Sequence, residues 1–110
     1  MPVAANGVPP GTLVMLVLRV LHGGPLHGYA IAQRIHVLTS DALQVEEGSL
    51  YPALQRILVK GWAKAAWGTS ETGRRVRFYT LTPNGRTQLE TEVSEYERVN
   101  AAIRAVLKSA

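Results

Sequence analysis

Apolar residues recur along this chain with two different periods. In "GTLVMLVLRVLHGG", Leu13, Leu16, Val17, Val20 and Leu21 form a stripe at helical spacing. Thr12 stands where a capping hydroxyl belongs, and Gly23–Gly24 followed by Pro25 stops the run. "LHGYAIAQRIHVL" sets Ile31, Ile35 and Leu38 at i, i+4 and i+7, which predicts a second helix from about Gly28 to Leu38. "TSDALQVEEG" reads as a turn that directs Leu43 and Val45 inward. A third helix is expected to open at Ser49, whose hydroxyl can accept a first-turn amide, with Pro52 tolerated in that turn because its missing N–H has no helical partner there. Leu50, Leu54 and Ile57 are its buried stripe, with Leu58 beside them, and Gly61 is its end. Ser49, Tyr51, Pro52, Gln55 and Arg56 remain on the outside, an unusual mixture for a helix that only packs.

The period then shortens. "WAKAAWGT" and "RRVRFYTL" are rich in aromatic and β-branched residues and flank "SETG", the pattern of two antiparallel strands and a turn. In "LTPNGRTQLETEVSEYERVNAAIRAVLKSA", Thr82 caps, Pro83 takes the first helical position, and a long amphipathic helix follows. Leu89, Val93, Tyr96, Asn100, Ile103 and Leu107 alternate by four and three, a heptad-like seam with one polar member. About 25 residues at ~1.5 Å each span nearly 38 Å, more than a domain this small covers. The surplus seam calls for a partner, and a second copy is the economical one, with Asn100 favouring a single register. These elements make an α+β fold, a winged helix-turn-helix with a long C-terminal dimerisation helix. We divide it into a flexible N-terminal arm (residues 1–10), a DNA-binding domain (11–82) and the dimerisation helix (83–110).

Charge sharpens this picture. The net charge is +4 with a pI near 9.9. From Ser49 to Arg86 the local balance is +6, whereas Thr87 to Val99 carries −3. A basic middle followed by an acidic helix suits a nucleic-acid-facing module joined to something kept off the phosphates. The absence of cysteine excludes disulfides and thiolate zinc sites. No apolar run approaches the ~18 residues of a membrane span, and the N-terminus lacks a signal-peptide pattern, so a cytoplasmic protein without membrane partners is expected.

In a winged helix the third helix enters the major groove and the hairpin lies along the backbone or in the minor groove. Gln55 suits a paired contact to adenine, and Arg56 one to guanine or a phosphate. Tyr51 and Ser49 offer hydroxyls, Pro52 shares their face, and the amide of Gly48 at the helix start is a further anion donor. Arg74, Arg75 and Arg77 bring three guanidinium groups to the hairpin tip. His27 and Tyr29, where the second helix begins, are placed to touch a phosphate as that helix crosses the backbone. The histidines lack metal-ligand spacing, so no metal or cofactor is expected, and no nucleophile–base pair or phosphate loop suggests an enzyme.

The stretches "GPLHGYAIAQRI", "EGSLYPAL" and "WGTSETGRRVRFYTLTPNGR" occur in order and at family-like spacing. Together they resemble the PadR family of bacterial transcriptional repressors, in the short form with a single C-terminal helix, from about Gly11 to Leu107. The resemblance implies a homodimer, paired through the last helix and helped by the first, that binds an inverted-repeat operator. Some relatives respond to phenolic acids or flat aromatic drugs. A small aromatic effector is therefore a candidate partner here, with Trp67 and Tyr96 as candidate pocket residues. Two other readings compete: a winged helix that binds an acidic protein, and an architectural DNA binder without sequence choice.

Overall fold

The computed structural model describes residues 7–9 and 11–109. The first helix, α1 (Leu13–Leu21), is apolar at every position except Arg19, so it can only be stable inside other elements. Val17, Leu18 and Leu21 are buried completely or nearly so, while Leu13, Leu16 and Val20 are half-buried. Leu18 is therefore a core residue outside the expected stripe, because four other elements surround α1 rather than one. The Thr12 hydroxyl does not cap the helix. It donates to the Pro9 carbonyl at 2.7 Å, and the Thr12 amide donates to the same oxygen at 3.2 Å. Most of the expected flexible arm lies outside the described residues, but Gly7 forms a bridge with Gln44.

A two-residue strand, β1 (Leu26–His27), leads directly into α2 (Gly28–Leu38). Sequence periodicity predicts this helix with the same bounds but gives no sign of the strand. The His27 imidazole caps α2, its Nδ1 accepting from the Ala30 amide at 3.4 Å. Ile31 and Ile35 are buried, whereas Leu38 is exposed beyond the edge of the core. In the turn that follows, the Thr39 hydroxyl donates to the Ile35 carbonyl (2.9 Å) and accepts from the Leu43 amide (3.0 Å). Ser40 and Asp41 both adopt positive φ there, and the contact of His36 Nε2 with the Asp41 carboxylate at 3.1 Å helps hold that conformation.

The third helix, α3 (Glu47–Val59), begins earlier than expected, with Glu46 and not Ser49 at the N-cap. Pro52 is thus in the second turn, where it withholds an N–H from the Gly48 carbonyl. Gly48 is exposed, so water can serve that oxygen and the helix continues. Leu50, Leu54 and Ile57 fill the core as predicted. The hairpin strands β2 (Ala63–Thr69) and β3 (Arg75–Leu81) pair from Ala63↔Leu81 to Thr69↔Arg75, and β1 adds to the outer edge of β3, giving the order β1-β3-β2.

The last helix, α4 (Pro83–Leu107), starts as its sequence predicts. The Thr82 hydroxyl accepts from the Gly85 amide at 3.0 Å and donates to the Gly61 carbonyl at 2.7 Å. Gly85 is buried so tightly that a Cβ would overlap the Trp62 carbonyl. Leu89 joins the core and Val93 packs at its margin, but every residue from Ala101 to Ser109 is exposed. This projection stretches the protein to 57 × 30 × 24 Å. It also raises the radius of gyration to 15.3 Å, against about 13 Å for a compact chain of this length. Each fully buried leucine or isoleucine stabilises the body by roughly 1.5–3 kcal/mol, and the distal half of α4 contributes nothing to that core.

Candidate nucleic-acid interface

With ~100° between successive residues, burial of Leu50, Leu54 and Ile57 fixes how the rest of α3 is presented. Pro52 and Val59 face directly away from the core, with Gln55 about 50° to the Tyr51 side of that direction and Arg56 about as far to the other, and all are exposed. Tyr51 and Arg56 lie on opposite flanks, about 140° apart around the helix. The five predicted contact residues are thus brought to one helix but not to one spot. Ser49 and Arg56 share a flank. Arg56 borders a hollow of about 540 Å³ with Pro52, Lys60, Trp62 and Glu92.

Tyr51 faces a larger groove of about 980 Å³ between α2, the start of α3 and the hairpin, which is the wing. His27 and Tyr29 line one side of it, and Arg74, Arg75 and Arg77 line the other. The groove therefore assembles six of the predicted contact residues from three separate elements. It also contains Arg34, which sequence reasoning missed. The signal was present: Tyr29, Gln33 and Val37 recur at i, i+4 and i+8 on the face of α2 opposite Ile31 and Ile35, with Arg34 beside them. Two carboxylates, Glu47 and Glu71, reach the groove as well, but four guanidinium groups outnumber them.

The helix starts differ in electrostatics. Glu46 and Glu47 surround the first amides of α3, so the expected anion donor at Gly48 competes with two carboxylates. No acidic residue occupies the first turn of α2, and its positive end opens beside Tyr29. The His27 ring has its Nδ1 committed to the cap, stacks on Tyr29 at 6.5 Å and meets Phe78 edge-on at 5.6 Å. Its cap role fixes the direction of the tyrosine that follows.

On the wing, the core-facing side of the hairpin continues past the helices into solvent. Ala63, Ala65, Tyr79 and Leu81 occupy the inner end of that side, and Trp67, Thr69, Arg75 and Arg77 the outer end. Trp67 is accordingly 61% exposed on the overhang and is not a core residue. The tip is closed by the Ser70 amide donating to the Arg74 carbonyl (2.8 Å) and the Arg74 amide donating to the Ser70 hydroxyl (3.1 Å). Tyr96 does not line the groove that holds Trp67, so the two candidate effector residues share no cavity within the protomer. Of the expected dimer seam, Leu89 is buried in the protomer core, whereas Tyr96, Ile103 and Leu107 are solvent-exposed and Asn100 is half-buried. Among the described residues no group of three or more histidine or carboxylate side chains is placed to hold a metal, and no helix is long and apolar enough to cross a membrane.

Four helices, a short strand and a basic β-hairpin make a winged-helix fold of the kind found in transcription regulators. The profile of the transcriptional regulator PadR-like family matches residues 17–91, and the chain belongs to that family. It is 30% identical over 93 residues to an uncharacterized protein, protein X, of Lysinibacillus sphaericus, covering 84% of this chain and 85% of the relative. It is 40% identical over 89 residues to an uncharacterized 37.1 kDa protein of a Streptomyces fradiae transposon, covering 81% of this chain but only 24% of that protein. Among solved structures, a transcriptional regulator from Clostridium thermocellum is similar with a TM-score of 0.82 and 28% identity, over 89% of this chain and 95% of that one. A PadR family transcription regulator from Clostridium difficile has a TM-score of 0.74 and 26% identity, over 88% and 99% of the two chains.

Proposed function

We propose that this PadR-family regulator is a homodimeric, sequence-specific repressor that works on an inverted-repeat operator in the cytoplasm. One observation carries the reading: four arginines and four aromatic residues with polar tips, Tyr29, Tyr51, Trp67 and Tyr79, from α2, α3 and the wing, line a single groove of about 980 Å³, the chemistry that a phosphate backbone needs. In this reading Gln55, with Pro52 and Ser49, faces the base edges of the major groove. Tyr29, His27 and Tyr51 meet the backbone on one side, and Arg74, Arg75 and Arg77 meet it on the other. Arg56 approaches the neighbouring phosphates from the far flank of α3.

Dimerisation is supported by the half-exposed apolar surface of α1 and by the bare distal half of α4, where Val99, Ile103, Val106 and Leu107 are unpartnered in the protomer. Residues 11–82 then act as the reading unit, and 83–110 as the pairing unit apart from Leu89 and Val93 at its base. A small aromatic effector built into this reading would have to meet Trp67 of one protomer and Tyr96 of the partner across the dimer.

The direct test is selection from a random duplex pool at physiological salt. Enrichment of an inverted repeat with half-sites ~34–36 Å apart is the expected outcome. Retention without enrichment would make the protein an architectural binder, and no retention would favour an acidic protein partner.

A further inference from the structure

Trp67 is the one large aromatic residue that the wing holds out in solvent, and its surroundings have a specific order. Strand register sets it directly across from Arg77, with Arg75 on the same side of the sheet. The Arg75 guanidinium carbon lies 5.0 Å from the Trp67 ring centre and that of Arg77 lies 6.0 Å away. Arg77 is also 5.9 Å from the ring of Tyr79, so it stands against two aromatic faces. These separations are those at which a ring quadrupole attracts a cation.

What the arginines lack is equally informative. Among the described residues the salt bridges are His36–Asp41 and Arg98–Glu95, and neither involves the wing. Glu71 sits in the tip turn without pairing with Arg74, Arg75 or Arg77. A carboxylate partner would cancel the charge and occupy the N–H edges that a phosphate needs. A ring face restrains the planar guanidinium while leaving its charge uncancelled and its five N–H donors open. Two like charges on one side of a strand repel, and the indole between them offsets that repulsion.

We propose that Trp67 is a positioning residue for DNA binding: it holds Arg75 and Arg77 in a stacked, unpaired state against the wall of the groove. This assignment rests on the DNA reading above. Ordering costs are met before DNA arrives, so the guanidinium groups bind phosphate without first losing side-chain freedom.

The test uses the full-length protein, a mixed-sequence 30-base-pair duplex and fluorescence anisotropy at several salt concentrations. Trp67→Leu keeps apolar bulk but removes the quadrupole, and Trp67→Phe keeps a π face. At 61% exposure neither change is expected to alter the melting temperature, which is measured alongside. Trp67→Leu should weaken binding about 5- to 30-fold, with Trp67→Phe recovering most of the loss. In an Arg75→Ala/Arg77→Ala background, Trp67→Leu should change nothing further. Equal losses for the leucine and phenylalanine variants, or an undiminished loss in the double-alanine background, would overturn the positioning role. A second readout needs no DNA. The Nε–H proton resonances of Arg75 and Arg77 should carry a ring-current upfield shift that Trp67→Leu abolishes, and its absence from the parent protein would overturn the stack itself. Failure of the parent protein to bind any duplex would overturn the DNA reading and the positioning role with it, while leaving the stack measurable.

Discussion

Two regions of this protein leave large apolar side chains in water, and they do so with different chemistry. Around the wing groove the exposed aromatic residues are Tyr29, Tyr51 and Trp67, each with a polar tip, in a lining shared with four arginines and with Val37 as its one exposed large aliphatic residue. Along the distal half of α4 the exposed large apolar residues are Tyr96 and then Val99, Ile103, Val106 and Leu107, and the last four have no polar atoms in their side chains. Aromatic rings interleaved with guanidinium groups suit a partner that is anionic and wet. An aliphatic stripe opposite a charged face suits another helix. The two surfaces therefore ask for two kinds of partner.

The sharpest way to break this comparison is at the junction between body and helix. Gly85→Ala forces a methyl group into the Trp62 carbonyl, which is backbone and cannot yield. We expect a loss of about 3 kcal/mol or more, read as a large drop in melting temperature by circular dichroism. The distal stripe should behave in the opposite way. Ile103→Glu combined with Leu107→Glu should leave the folded body intact while converting a dimer to a monomer in sedimentation. Operator affinity should then fall by about 100-fold or more as the second half-site is lost.

Smaller effects distinguish the roles within the groove. Arg77→Ala should weaken binding to every sequence and reduce the salt slope by about 0.9 for the lost phosphate. Gln55→Ala should leave the slope unchanged and alter preference at one base pair by about 1–3 kcal/mol. An unchanged preference would remove Gln55 from the reading face. The smallest effect belongs to the solvated side of α4. The Arg98 guanidinium hydrogen-bonds Glu95 at 2.6 and 3.0 Å and holds its carboxyl below the ordinary value, with direct charge attraction adding to the effect. A depressed carboxyl stabilises above its ordinary titration range and loses that contribution as pH falls through the lowered value. Glu95→Gln should therefore lower the melting temperature slightly at neutral pH, and the difference should close in acid.

Much of the architecture was legible because periodicity and capping agreed. Thr82–Pro83 and the seam after it located α4, and Ile31 with Ile35 located α2. Where one signal imitated another, the reading slipped. Ser49 has the chemistry of a cap, but the turn reaches helical geometry at Glu47, so a good capping residue ends up inside the first turn. β1 was invisible because two residues carry no period. Trp67 occupies the core-facing register of its strand, yet the strand outruns the helices that would cover it. Pattern gives the side of a sheet, but only the packed structure gives where that side stops being buried. For the same reason the residue types of the groove could be named from sequence, while Arg34 and the separate flanks of Tyr51 and Arg56 required the fold.

The contact between Gly28 and Tyr51 has a bearing on how this interface should be dissected. A Cβ on Gly28 would stand 2.9 Å from the Tyr51 hydroxyl oxygen and 3.3 Å from its ring. The Tyr51 side chain of α3 therefore lies directly against the first residue of α2. Truncating Tyr51 to alanine removes a ring packed on α2 as well as a hydroxyl, and a scan by alanine would credit DNA recognition with what is partly the loss of that packing. Tyr51→Phe separates the two, because it keeps the ring and deletes only the oxygen. The same contact means that a methyl group on Gly28 would push the Tyr51 ring out of its place in the groove without altering α3 itself.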